Sequence, residues 1–305
     1  MTRVVVLGAG GFIGRHVTRE LETRGHTVVG VDRFPDDEPS YREWETVALG
    51  PDSNQQIEHF IGRIAPEAVV NCIGVTGGDL PTLVRMDTLF VANLLDAMAR
   101  VCPDVRLVHL GSAAEYGNVA VGESVREDAA PRPTTPYGIA KLAATQLVAA
   151  SAALGQVDAI VLRVFNPVGR GLPDSTLPAF ATKLLQNARA SGLSEIRMGS
   201  LAGYRDFVDV GEVAGAVARA VEAASVDQRI FNIGSGSATQ VRDLVDTLAG
   251  MIGFDGQVIE SEFGSSRSQG VNWQRADIRA AQHQLGWVPQ TPLRVSLECM
   301  LGLAV

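Results

Sequence analysis

Gly8-Ala9-Gly10-Gly11-Phe12-Ile13-Gly14 separates an all-aliphatic run at residues 4–7 from a stretch in which Ile13, Val17 and Leu21 recur at i, i+4 and i+8. That recurrence predicts the apolar face of a helix, and Gly25 follows where a helix C-cap belongs. A second aliphatic run occupies residues 28–31, so the heptapeptide is the turn of a strand–helix–strand unit. Glycines in such a turn let the backbone approach a pyrophosphate, whose charge the helix N-terminus favours. A GxGxxG reading from Gly8 fails at Ile13, whereas Gly8, Gly11 and Gly14 satisfy GxxGxxG. Asp32 closes the second run 18 residues after Gly14, which places a carboxylate where adenosine ribose hydroxyls can donate to it. The expected ligand is therefore a dinucleotide, held by Gly8, Gly10, Gly11, Phe12, Ile13, Gly14 and Asp32. Asp32 would repel a 2'-phosphate and favours NAD; Arg33 beside it could turn toward such a phosphate, which keeps NADP open.

Further aliphatic runs at residues 68–73, 107–110 and 159–165 suit strands buried on both faces of a parallel sheet. Residues 87–100 and 135–154 read as helices between them. The alternation predicts an α/β fold with a doubly wound, Rossmann-like parallel sheet. After Asn166 the texture changes to a Gly- and Pro-rich loop at 169–178 and then to mixed helices and short strands such as 229–233. We expect a dinucleotide-binding domain at 1–165 and a smaller, mainly substrate-binding region at 166–305, with a return of the chain to the first domain left open. Ligands bind at the carboxyl edge of such a sheet. Asn71, Ile73 and Gly74, at the end of the 68–73 run, are accordingly cofactor-contact candidates, and Ser112, after the 107–110 run, is a candidate hydrogen-bond donor to a substrate carbonyl. The long connection 116–136, with Pro131, Pro133 and Pro136, has the length of a functional loop.

The chain has 305 residues, 46% hydrophobic and 20% charged, a composition that excludes a disordered or collagen-like protein. Its net charge of -8 offers no footprint for nucleic acid or an anionic membrane. A small ligand is the better default. Residues 3–14 superficially resemble a short signal peptide, but they are glycine-rich and carry no small-x-small cleavage site. No apolar run reaches the roughly 18 residues of a membrane helix. Three widely spaced cysteines, Cys72, Cys102 and Cys299, suggest no disulfide framework and fit a reducing cytoplasm.

Lys141 and Lys183 are the only lysines among 26 basic residues, so a lysine here is informative. Tyr137-Gly-Ile-Ala-Lys141 sets a phenol and an ammonium at i and i+4 on one helix face. At about 5 Å and an effective dielectric of about 20, the ammonium favours the phenolate by roughly 3 kcal/mol, some two pKa units. That brings a phenol into the working range of a general acid or base, so Tyr137 and Lys141 are the candidate proton-transfer pair, with Ser112 as third member. Both also belong with the cofactor contacts. A hydrolase is disfavoured because Ser112 lacks the Gly-x-Ser-x-Gly setting. His16, His26, His59, His109 and His283 show no HxH or HExxH spacing, so no metal is expected. A dinucleotide sensor on the same fold would have no need of Tyr137 and Lys141 together.

Taken in order, GAGGFIG, VVGVD, VVNCIG, HLGSAAEYG, PYGIAK, RVFNPVG, RDFVDV, FNIGSG and a late LGWVP resemble the extended short-chain dehydrogenase/reductases, the NAD-dependent epimerase/dehydratases, over nearly the whole chain. The resemblance implies that Ser112, Tyr137 and Lys141 are the catalytic set and that the C-terminal region holds a nucleotide-diphosphate sugar. Asn166, Arg205 and Arg267 join Ser112 as substrate contacts, the two arginines as diphosphate cations. It also implies a homodimer formed through helices beside the Tyr-Lys helix. The 4,6-dehydratases of this family carry an Asp-Glu pair after the catalytic hydroxyl residue, where this chain has Ala113 and Ala114. What remains is a 4-keto-6-deoxy-sugar reductase or a 4-epimerase, and RVFNPVGRG and RDFVDV resemble the reductases more. Two stretches depart from the family pattern: Val47-Ala48-Leu49 where an Asp often meets the adenine, and Asp87-x-x-Phe90-Val91 where Asn-x-x-Gly-Thr is usual.

Overall fold

A run that is apolar at every position is stable as a strand only when both of its faces are covered, and the aliphatic runs do become the central strands. The computed structural model of the protein describes residues 1–35, 43–50, 52, 54–260 and 271–303. Its first half runs β1 (Arg3–Leu7), α1 (Phe12–Thr23), β2 (Thr27–Asp32), β3 (Glu43–Thr46), α2 (Asn54–Ile64), β4 (Ala68–Asn71), α3 (Leu80–Leu83), a π-helical segment (Val84–Leu89), α4 (Phe90–Val101), β5 (Arg106–Ser112), a 3₁₀ turn (Ala113–Glu115), α5 (Pro136–Ala153) and β6 (Ala159–Val164). The second half adds β7 (Asn166–Val168), α6 (Leu177–Ala190), β8 (Glu195–Met198), β9 (Tyr204–Arg205), β10 (Phe207–Asp209), α7 (Val210–Glu222), β11 (Ile230–Ile233), β12 (Thr239–Gln240), α8 (Val241–Ile252), β13 (Gln257–Glu260), α9 (Arg279–Leu285) and α10 (Leu293–Leu301).

Seven strands form one parallel sheet in the order β11-β6-β5-β4-β1-β2-β3. Alternate residues of each strand enter opposite cores. Val4 and Val6 pack with Val17, Leu21, Val213 and Val217 from α1 and α7. Val5 and Leu7 pack with Ile57, Leu94, Met98 and Val148 from α2, α4 and α5. Each such buried aliphatic side chain contributes about 1.5–3 kcal/mol, so the two helix layers hold the sheet rigid. After β3 the chain crosses back to β4, on the far side of β1, and opens a crevice at the carboxyl ends of β1 and β4.

Two elements from beyond residue 166 lie against this unit: β11 pairs with β6, Ile230 to Val161 through Ile233 to Val164, and α7 packs beside α1. The remainder builds a smaller core of its own, in which Val168, Leu185, Ile196, Phe207, Leu244, Leu248 and Leu297 meet. It sits over the carboxyl edge of the sheet because β7, which pairs with β10, begins two residues after β6 ends.

Two elements differ from the sequence expectation. The run 68–73 leaves the sheet after Asn71, whose Oδ1 accepts from the Ile73 N–H at 3.0 Å and turns the backbone away. The helix expected at 87–100 begins earlier, at Leu80, because Asp79 caps it by accepting from the Thr82 N–H at 3.0 Å; Asp87 thereby falls mid-helix, inside the π segment.

Candidate active site

The glycine turn is packed too tightly for side chains. A Cβ on Gly14 would stand 2.1 Å from the Gly8 carbonyl oxygen, and one on Gly8, at φ +77°, would stand 3.0 Å from the Ile73 nitrogen. The turn therefore lies directly against the strand end that carries Asn71, Ile73 and Gly74. No side chain caps α1, whose N-cap is Gly11. The first-turn N–H groups of Phe12, Ile13 and Gly14 have no intrahelical acceptor, which suits an anion. Asp32 Oδ2 accepts from the Gly10 N–H at 3.1 Å and Oδ1 from the Arg33 N–H at 2.7 Å. The carboxylate is thus fixed at the edge of the turn, while the Arg33 guanidinium packs 5.0 Å over the Phe34 ring. Trp44 from β3 approaches both Gly10 and Gly30; no motif in the sequence pointed to it. Val47-Ala48-Leu49 directly follows β3, with the Val47 N–H donating to the Asp32 carbonyl at 2.8 Å.

Ser112 is the last residue of β5, in register with Val164. Its Oγ accepts from the Ala114 N–H at 3.2 Å, and Glu115 returns an acceptor to the Ser112 N–H at 2.8 Å, a capping box that fixes the serine. Tyr137 is the second residue of α5, started by Pro136 and by Thr135, whose Oγ1 accepts from the Gly138 N–H at 3.1 Å. A Cβ on Gly138 would stand 2.5 Å from the Ala114 carbonyl oxygen, so the Tyr-Lys helix is seated on the turn that starts at Ser112. Lys141 is 5% exposed, and its Nζ donates to the Leu110 carbonyl at 2.6 Å, two residues before Ser112. Burial lowers its pKa; Asp87, Glu115 and Cys72 act in the opposite sense. The structure thus draws Ser112, Tyr137 and Lys141 to the carboxyl edge, next to the glycine turn.

Around them lies a buried polar layer that no local sequence pattern reveals. Asn71 Nδ2 meets His109 Nδ1 at 3.2 Å, and burial, helped by Lys141, holds that imidazole well below its usual range. Glu115 pairs with Arg163 at 2.7 Å, and both are buried. Tyr116 completes the layer: its hydroxyl donates to Asn232 Oδ1 at 2.7 Å, and burial pushes its phenol up to about 12. Each is an ordinary polar residue in its own motif; only the sheet brings them together.

Asn166 Nδ2 donates to the Asp206 carbonyl at 2.9 Å, which places the neighbouring Arg205 beside the same edge. The Arg205 guanidinium donates to the Tyr204 carbonyl at 2.8 Å and, among the described residues, pairs with no carboxylate; burial lowers its pKa. Asp206, fully buried, accepts from Ser235, Gly236 and Ala276, and so clamps the smaller lobe's segments together. Arg267 lies outside the described residues.

A dinucleotide crevice beside a Ser-Tyr-Lys set defines a class of oxidoreductase site, and the chain belongs to the NAD dependent epimerase/dehydratase family, whose model matches residues 4–234. It is similar to a dTDP-6-deoxy-L-talose 4-dehydrogenase (NAD(P)(+)) of Kitasatospora kifunensis, 32% identical over 97% of this chain and 93% of that protein. It is also similar to a GDP-6-deoxy-D-mannose reductase of Pseudomonas aeruginosa, 26% identical over 98% and 96%. Among solved structures it resembles MoeE5 in complex with UDP-glucuronic acid and NAD, with a TM-score of 0.82 and 30% identity over 99% of this chain and 98% of that one. The protein is thus an enzyme of a family whose members here are nucleotide-sugar dehydrogenases, reductases and epimerases. Among the described residues no helix is long and apolar enough to cross a membrane.

Proposed function

We propose that the chain reduces the C4 carbonyl of a nucleoside-diphosphate 4-keto-6-deoxy sugar, using NADH in preference to NADPH. The observation that carries this reading is the composition of the edge around Ser112: Tyr137 and Lys141 stand there, but Ala113 and Ala114 follow the serine. Methyl groups exchange no protons, so elimination of water lacks its acid and base. The similarity to a 6-deoxy-talose 4-dehydrogenase supports redox chemistry at C4.

The glycine turn and the first turn of α1 would hold the pyrophosphate, Asp32 the adenosine ribose, and Asn71, Ile73, Gly74, Tyr137 and Lys141 the nicotinamide end. Bound there, the reduced dinucleotide supplies a hydride to the carbonyl carbon. Ser112 Oγ donates to the carbonyl oxygen and holds it against Tyr137. Tyr137 transfers its phenolic proton to that oxygen, so C=O becomes CH–OH and a phenolate remains until solvent reprotonates it. Lys141, one helical turn away, stabilises that phenolate. Arg205, half-buried and without a carboxylate partner among the described residues, and Arg267 are the proposed diphosphate cations, with Asn166 as a further substrate contact. Asp32 at the adenosine end favours NAD, and Arg33 is turned onto Phe34.

The second reading, 4-epimerisation, uses the same groups, and the similarity to a UDP-glucose 4-epimerase of Mycolicibacterium smegmatis is the observation in its favour. Incubation with a nucleotide 4-keto-6-deoxy sugar and NADH separates the two. Stoichiometric loss of reduced-cofactor absorbance is expected; interconversion of 4-epimers without net oxidation would establish the epimerase, and release of a 4-keto-6-deoxy product from an intact nucleotide sugar would sink both. We place the enzyme in the cytoplasm, where its unpaired cysteines Cys72, Cys102 and Cys299 are at home, and expect a homodimer.

A further inference from the structure

Asp87 stands where the family pattern has an amide side chain, and it is 1% exposed. Its Oδ1 accepts from the Val75 N–H at 3.1 Å, while its Oδ2, fully buried, accepts no hydrogen bond among the described residues. Gly74 serves as a ruler between Asp87 and the proton-transfer pair. A Cβ built there would lie 2.8 Å from Asp87 Oδ1 and 3.8 Å from Lys141 Nζ, so carboxylate and ammonium converge on one side of that glycine. A buried ammonium is costly without an opposite charge. Among the described residues, four other groups face Lys141 from its own helix and the elements around it. Cys72, after β4, is a thiol that burial pushes up to about 12. His109, on β5, is held neutral by burial and by Lys141 itself. Glu115, in the turn after β5, already has Arg163 at 2.7 Å. Tyr137 lies on the same helix as Lys141 and is the proton donor. Asp87, on the π segment, is the remaining carboxylate: burial raises its pKa, while Lys141, with no other basic residue acting on it among the described residues, and the Val75 N–H favour its charged form.

We propose that Asp87 is a positioning residue for the reduction: its carboxylate is the counter-charge that keeps Lys141 an ammonium and so keeps Tyr137 supplied with a cationic neighbour. An asparagine retains the acceptor for the Val75 N–H but not the charge, so the Asp87→Asn variant separates this role from mere capping. The inference rests on the ketoreductase reading for its kinetic consequence, but its direct test does not need turnover. The chain has only two lysines, so protein labelled with ¹³C at lysine Cε gives two signals, assigned with Lys183→Arg. In the Asp87→Asn protein the Lys141 signal should titrate at lower pH by about one unit or more, the scale of a carboxylate within about 7 Å at an effective dielectric of about 20. The basic limb of the kcat profile for reduction should move the same way, because the ammonium that stabilises the Tyr137 phenolate is lost at lower pH. An unshifted Lys141 titration would overturn the proposal, as would a neutral Lys141 at pH 7 in the unmodified protein, a measurement that stands even if the variant fails to fold. An unmodified enzyme that reduces no nucleotide 4-keto sugar, yet shows the expected lysine shift, would reject the ketoreductase reading and leave the assignment of Asp87 standing.

Discussion

Tyr137 is one of four tyrosines, and what distinguishes it is its surroundings. Tyr116 lies only six residues beyond Leu110, the carbonyl that holds Lys141 Nζ, yet it is buried against Arg163, and its hydroxyl is committed to Asn232. Burial pushes its phenol up to about 12, which makes it a weaker acid, and its proton is already engaged by Asn232. Tyr137 instead starts the helix that carries Lys141, at the open edge of the sheet. Replacing Tyr137 with Phe removes the transferable proton and leaves the glycine turn, Asp32 and Lys141 in place. Turnover should fall by about 100- to 10,000-fold, while the dissociation constant for NADH, read by fluorescence titration, stays within a factor of a few. A Phe variant that keeps most of the original rate would move the proton-donor role to another group.

At the scale of elements, the position of Ser112 relative to α5 depends on one side chain. Glu115 accepts from the Ser112 N–H, from Thr145 Oγ1 on α5 at 2.9 Å and from Arg163 Nε on β6. It therefore ties the end of β5 to the Tyr-Lys helix and to the next strand. Glu115→Ala leaves the Arg163 guanidinium buried without its counter-charge, and the expected loss is about 3–5 kcal/mol of unfolding free energy, measured by urea denaturation. A loss below about 1 kcal/mol would show that Tyr116 and the Glu127 carbonyl, which Arg163 also meets, suffice to hold it. This clamp also shows where the sequence stops being legible. β1, β2 and β5 were readable because residues such as Val4 to Leu7 are apolar at every position, a pattern that two-sided burial imposes. The pairs β7–β10 and β9–β12 were not, because pieces of two or three residues have no period to detect. Glu115 and Arg163 read as separate charges 48 residues apart, and nothing local says that the sheet superposes them. Asp87 was visible as a departure from a pattern, but its burial in a π-helical segment required the cap at Asp79, eight residues upstream, to be recognised.

For the molecule as a whole, two neighbouring helical runs of the first unit carry exposed apolar side chains. Leu80, Val84 and Leu89 on the α3-to-α4 run, and Ile139 and Leu147 on α5, are exposed, although these helices pack side by side over the same sheet face. Exposed apolar side chains gathered on neighbouring helices mark a contact surface more often than scattered ones do. A two-fold axis between two copies would let the same helices cover one another, the commonest closed symmetry. A stable dimer needs on the order of 800 Å² from each partner, which two adjacent helices can supply. The contact would also bear on the chemistry. Ile139 falls midway between Tyr137 and Lys141, half a turn round α5, so a partner pressing on Ile139 buttresses the helix from behind while its other face holds the proton-transfer pair. Sedimentation velocity at micromolar concentration should therefore give twice the chain mass of 32.3 kDa. Ile139→Asp with Leu147→Asp should give single chains that retain the fold by circular dichroism and lose turnover more than NADH affinity, because α5 is less firmly seated on the turn at Ser112. A protein that sediments as a single chain at tens of micromolar, with turnover unaffected by the double substitution, would show that this face has some other role and that α5 needs no support beyond Gly138 and Lys141.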